Sequence, residues 1–370
     1  MGYEAVLGKR GINGIEKFIF PVEGLGKKMY LALSVNTGSA MELKEEAGIA
    51  HFLEHVQMSF FEANSIEYFC SAHTDFYSTT YYFDLWEDTF LKIIQIIQKI
   101  ILGDYIEQAD MEKVRADVMK EHTQYYKTHQ EADFWWLLKG SEYEKHYSIG
   151  DKECIAKFQK SDLQAFYENH YYLDRMGIIW IAAPEILEKL GETWIDLLKG
   201  QRGPVNQKVL NYNRKSTFIH RIEKEPAREK VYYFYRERAQ KQESLDEILL
   251  LIAEQYLTQQ LGKVEIAKIY LSYAQEFIKI RMKAQMDWGN IYQLLENLQF
   301  SEILTCYKEI LDTDPIGYNC NSLREQLVQG FIFRDLPVIN PNIARDNIKE
   351  AWQEILKICR QTTFVLLYGI

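Results

Sequence analysis

The residues best equipped for chemistry are His51, Glu54 and His55, in the stretch Gly48 to Phe60, GIAHFLEHVQMSF. Wound as a helix at about 100° per residue, this stretch puts Ile49, Phe52, Leu53, Val56 and Phe60 on one side and the two histidines with Glu54 on the other. Two imidazoles four positions apart rise one above the other, so both reach a single metal ion from a rigid backbone. Glu54 points into the same space, where a carboxylate can orient a water and take its proton. The bland alternative is a solvated helix face bearing two incidental histidines among the chain's 8.

H-x-x-E-H is the signature of the inverzincins, and the residues around it carry a wider likeness. Upstream stand Asn13-Gly14, the strand-like YLALSVNTGSAMEL (Tyr30 to Leu43) and Glu45-Glu46-Ala47-Gly48. Downstream stands SAHTDFYSTTYYF (Ser71 to Phe83). Together they resemble the pitrilysin/insulinase family of zinc metallopeptidases, in a small, half-size form like the processing-peptidase subunits. Ala72, Thr74, Thr79 and Tyr81 fit the family's substrate-strand wording, while Ser71 stands where the family has Asn.

The resemblance implies a third ligand, a glutamate from a second helix. Counting from the motif selects Glu131, 76 residues after His55. Local wording selects Glu121, because VRADVMKEH (Val114 to His122) is similar to the family's "E-R-x-V-x-x-x-E" helix. A shortened segment between His55 and Ser71 reconciles the two and favours Glu121, with Val114 in place of the family's other acidic residue. The family also brings an Arg and a Tyr seven apart to the reaction intermediate. Lys263 and Tyr270 match that place by position within the repeat described below. Arg324, in Leu323-Arg324-Glu325, matches by wording, but Phe331 stands seven residues on.

Bulk properties agree with a globular enzyme and exclude other classes. At 370 residues the chain exceeds what one core usually serves. A formal charge of −10 without a basic stripe argues against nucleic acid. The 5 cysteines are odd in number and widely spaced, as in a reduced cytoplasmic protein. The N-terminal residues lack a signal-peptide core, and Phe90 to Leu102 reads as a buried amphipathic helix, too short and too interrupted to cross a membrane.

The elements that must position the site follow from periodicity. Phe18 to Pro21 and Lys28 to Val35 read as strands, Glu46 to Phe60 as the metal helix and Phe76 to Leu85 as a strand. Thr89 to Leu102, Gln108 to Lys127 and Asp162 to His170 read as helices, and Arg175 to Ala183 as a buried strand. Gly200 to Pro204 is the best linker signal, which divides the chain into a metal domain over 1–199, a linker over 200–210 and a second domain over 211–370. Arg345 to Gly369 echoes the helix and strand that close the first domain, as a repeat of architecture with little identity.

The resemblance therefore implies an α+β fold of two structurally similar α/β-layered domains, each a mostly antiparallel sheet packed with helices, forming one half of a clam-shell. It implies a Zn²⁺-dependent endopeptidase acting as a homo- or heterodimer on peptides or unfolded segments, including leader removal. In that reading His51, His55 and Glu121 hold the metal, and Glu54 and Tyr270 are catalytic. Ser71, Ala72, His73, Thr74 and Lys263 contact the substrate. The alternative is a non-catalytic or half-site subunit whose partner completes the active site.

Overall fold

Runs of alternating or fully apolar residues become strands here, and runs with apolar residues every three or four become helices. The computed structural model describes residues 5–63, 69–127, 137–205, 208–210, 212, 218–222, 229–237, 245–272, 275–282, 288–313, 320–333, 345–360 and 364–368. The first elements are β1 (Val6–Arg10), β2 (Glu16–Pro21), β3 (Lys28–Val35), α1 (Ile49–Ala63), β4 (Phe69–Thr74) and β5 (Thr79–Trp86). Then come α2 (Phe90–Leu102), α3 (Asp104–Gln108), α4 (Met111–Lys127), α5 (Lys160–His170) and β6 (Met176–Ala182). The remainder comprises β7 (Phe218–Ile222), β8 (Glu229–Glu237), α6 (Leu245–Leu261), β9 (Val264–Ser272), β10 (Gln275–Met282), α7 (Trp288–Asn297), α8 (Phe300–Thr313), α9 (Cys320–Phe333), α10 (Arg345–Arg360) and β11 (Phe364–Tyr368).

Two compact units result, Met1–Asn211 with Cys320–Leu336, and Tyr212–Asn319 with Pro337–Ile370. The continuous second domain expected over 211–370 thus needs correction, because α9 returns to the first unit. Its Arg324 guanidinium donates to the Leu31 and Phe83 carbonyls and, at 2.8 Å, to Asp84. The linker expected at 200–210 is also anchored. Arg202 forks onto Asp174 at 2.5 and 2.6 Å, Arg175 donates to the Pro204 carbonyl, and Gly203 lies against the Tyr172 ring where a Cβ would clash.

The first unit's sheet runs β1-β2-β6-β3-β5-β4, antiparallel throughout except that β2 and β6 are parallel. Its core joins Leu31, Leu33 and Val35 of β3 to Phe52, Leu53 and Val56 of α1 and to Ile93, Ile97 and Ile100 of α2. The strand expected over Phe76 to Leu85 is β5, which begins at Thr79 because the three residues before it belong to a turn. Asp75 accepts from the amides of Tyr77 and Ser78 at 2.7 Å, and this Asx turn folds β4 back along β5. β4 becomes the sheet's edge.

The second unit's sheet runs β7-β11-β8-β10-β9, and β7 and β11 are its parallel pair. Strands two to six of the first unit map one to one onto β7 to β11. In both sets of five the last strand inserts between the first two, the helix follows the second strand, and the third strand is the edge. Two similar α/β layers, each with a mostly antiparallel sheet, make up the chain.

Candidate metal centre

The site begins with a helix that cannot cap itself. α1 starts after Gly48, whose φ of +97° suits glycine and whose Cα lies so near Gly150 that a Cβ would meet that Cα at 2.8 Å. Gly48 offers no side chain to the first amides of the helix. The carboxylate of Glu42 does so, accepting from Gly48 N at 2.9 Å and Ala50 N at 3.0 Å. Glu42 is 3% exposed, and burial pushes its pKa up to about 8 against the two amides that favour the charge.

From that anchored end α1 presents His51, Glu54 and His55, and α4 brings Glu121 to meet them. His51 Nε2 and His55 Nε2 stand 3.2 Å apart; Glu121 Oε2 lies 3.0 Å from His55 Nε2 and 3.6 Å from His51 Nε2. Ligand atoms on a tetrahedral zinc ion at about 2.0–2.1 Å are about 3.3 Å from one another, and the three edges bracket that spacing. Two imidazole nitrogens and a carboxylate oxygen aimed at one point repel unless a proton or cation lies between them, so the donor set fits a small divalent ion. Among the described residues these three form the cluster of His, Cys, Asp or Glu able to hold a metal.

The electrostatics follow from the same contacts. The hydrogen bonds from both histidines hold the Glu121 carboxyl well below the usual range, despite some burial. Burial opposes a proton on His55, but the bond to Glu121 and the charges of Glu54, Glu121 and Asp117 outweigh it and raise the pKa. Asp117, one turn before Glu121 on α4, did not stand out in the sequence. Val114 is fully buried in the core, so no acid acts from its position.

Glu54 is 7% exposed, and its Oε2 accepts from the Thr74 hydroxyl at 2.7 Å. Thr74, expected to contact substrate, has its side chain buried against Glu54. Cys70 and Ala72 pack on the core beside it, and strand alternation sends Ser71 and His73 to the other face, where His73 is exposed. Glu131 lies outside the described residues. Arg324 and Phe331, the alternative pair found by wording, lie in the first unit. Arg324 is buried between the Tyr30 and Tyr82 rings, and Phe331 packs on Gly177 and Phe18. Lys263 is exposed in the second unit and pairs with Glu265 at 3.1 Å; Tyr270 lies on β9 with its backbone opposite Glu276.

Residues 25–140, which span α1 and the Glu121 helix, match the family model described as insulinase, peptidase family M16. Over that span, less than half of its length, the chain is similar to the insulinase family. It is 28% identical over 174 residues to the beta subunit of the mitochondrial-processing peptidase of Blastocladiella emersonii, covering 43% of this chain and 37% of that protein. To a PQQL-like zinc protease of Arabidopsis thaliana it is 22% identical over 347 residues, 84% of this chain and 35% of the relative. The chain thus spans little more than a third of these curated relatives. In fold it resembles the first half of the periplasmic protease PqqL from Escherichia coli, with a TM-score of 0.71, 16% identity and coverage of 99% of this chain and 92% of that one. A protease from Helicobacter pylori gives a TM-score of 0.70 at 14% identity, over 97% and 98% of the two chains. Among the described residues no helix is long and apolar enough to cross a membrane.

Proposed function

We propose that this chain is a zinc-dependent endopeptidase of the insulinase type, or the metal-bearing subunit of one, acting on extended peptides. The convergence of His51, His55 and Glu121 beside the buried Glu54 carries the reading. Those three residues would hold the ion, which when bound supplies a Lewis acid and lowers the pKa of water toward about 7. Glu54 orients the attacking water, accepts its proton and returns it to the departing amine. A peptide would lie along the β4 edge, where backbone hydrogen bonds give affinity without demanding a sequence, and Ser71, Ala72 and His73 would meet it. Tyr270 and Lys263 are the proposed counterpart of the family's Arg/Tyr pair.

A heterodimeric arrangement is the second reading. Arg324 and Phe331 are committed to the core of the first unit, and one relative is itself named as a subunit; a partner chain would then supply the Arg/Tyr pair. The cytoplasm is the proposed compartment, supported by five free thiols. The test is metal content and peptide hydrolysis of the purified chain, alone and with a family partner. Wild type should bind one zinc and cut an unstructured peptide, whereas Glu54→Gln should keep the zinc and lose turnover by about 10²- to 10⁴-fold. Equal turnover in both proteins would remove the enzyme reading.

A further inference from the structure

Behind Glu54 lies a buried set of hydroxyls that the metal chemistry does not use. Thr74 and Thr79 are 3% and 0% exposed, and Tyr81 and Tyr171 are 0% and 1% exposed. Thr79 donates to the Thr37 carbonyl at 3.0 Å, which commits its only proton. Thr74 Oγ1 is 3.3 Å from Thr79 Oγ1 and 2.7 Å from Glu54 Oε2. A carboxylate accepts and cannot donate, so the Thr74 proton goes to Oε2, the shorter and charge-assisted of its two contacts. Glu54 Oε1 has no hydrogen bond among the described residues.

We propose that Thr74 is a positioning residue that divides the labour between the two oxygens of Glu54. Its hydroxyl, fixed on the rigid β4–β5 hairpin, holds Oε2 against the sheet and leaves Oε1 as the oxygen that exchanges protons. In the reaction proposed above, which this inference presupposes, the water oxygen bonds to the scissile carbonyl carbon and its proton passes to Oε1. When the C–N bond breaks, the electron pair stays on nitrogen, and the same proton moves from Oε1 to the amine. Because Oε2 stays held throughout, the carboxylate need not rotate between accepting the proton and delivering it. The strand that would meet substrate and the acid–base group are thereby tied together by one side chain: Ser71 and His73 face one way from β4, and Thr74 faces the other.

The experiment compares crystal structures and kinetics of Thr74→Val, Thr74→Ala and Thr74→Ser with wild type. Valine keeps the shape and removes the hydroxyl, alanine avoids setting a methyl against the carboxylate, and serine keeps the donor. The expected result is a Glu54 carboxylate rotated away from β4 in the valine and alanine variants and in its wild-type place with serine. Turnover should fall about 10- to 100-fold in the first two, the size expected of a misplaced reacting group, with KM and zinc content unchanged, and serine should recover most of it. Glu54 staying in place in both hydroxyl-free crystals would overturn the inference whatever the turnover, as would a serine variant as slow as valine. Failure of the peptidase reading shows separately, as wild-type turnover in Glu54→Gln.

Discussion

The segments β3–α1–β4 and β8–α6–β9 occupy the same place in two sheets of the same order, yet only one carries the histidines. α6 buries Leu249, Ile252, Ala253 and Leu257 against its sheet much as α1 buries Phe52, Leu53 and Val56. On the rest of its surface α6 has Gln255, Thr258, Gln259 and Gln260, all exposed. Each helix also sends a glutamate to the strand after it, to different effect. Glu254 accepts from the backbone amide of Ile266 on edge strand β9 at 2.6 Å, whereas Glu54 takes the side-chain hydroxyl of Thr74 on edge strand β4. The fold asks only for the apolar stripe; what the other face carries is free to vary. In the first unit that face holds costly groups: two imidazoles and two carboxylates drawn together, which stability alone would not select.

Breaking that face should have the largest effect. His55→Ala removes one of three donors, so the protein should lose its zinc and its hydrolysis together while keeping its fold by circular dichroism; retained stoichiometric zinc would count against the site. Next, Glu54→Gln and Glu254→Gln form a matched pair across the repeat. The first should cost about 10²- to 10⁴-fold in turnover, and the second should leave turnover within about twofold while lowering stability by about 1 kcal/mol, because the glutamine oxygen accepts the same bond without the charge. Similar kinetic losses from both would erase the distinction drawn between the units.

Much of this was legible in the sequence because it is local. The motif needs only positions i, i+3 and i+4 on one helix, and the echo of α5–β6 in α10–β11 marked the repeat before any sheet order was known. Glu121 required the family's local wording in residues 114–122, since counting from the motif alone points to Glu131. The start of β5 moved three residues because the Asx turn at Asp75 claims Tyr77 and Ser78. Glu42 could have been suspected, as an acid shortly before a helix whose first residue offers no cap. Thr74 and Arg324 could not: their partners lie 20 and 240 residues away in sequence, and the sequence shows no difference between an arginine aimed at substrate and one closed between two tyrosines.

Two smaller effects sharpen the comparison. In the second unit Arg236 and Glu276 form a buried cross-strand pair, 6% and 0% exposed. Glu276→Gln should destabilise that unit by about 3 kcal/mol, because a buried arginine loses a counter-charge, and should leave zinc content unchanged. In the first unit the cap at Glu42 predicts a pH dependence. Its folded pKa is raised, so the folded state binds a proton that the unfolded state gives up above its ordinary value. Its contribution should therefore be greatest at low pH, decline as pH rises between about 4.5 and about 8, and then level off. Thermal melts of wild type and Glu42→Gln across that window should differ in slope, and parallel curves would contradict the assigned cap.

The most direct test of the central claim is X-ray absorption at the zinc edge on protein loaded with one equivalent, compared with Glu121→Gln. The account predicts two imidazole nitrogens and one carboxylate oxygen at about 2.0–2.1 Å, with a fourth light ligand, and a first shell that loses the carboxylate or the metal in the variant. A shell built from cysteine sulfur, or one unchanged by the substitution, would contradict it.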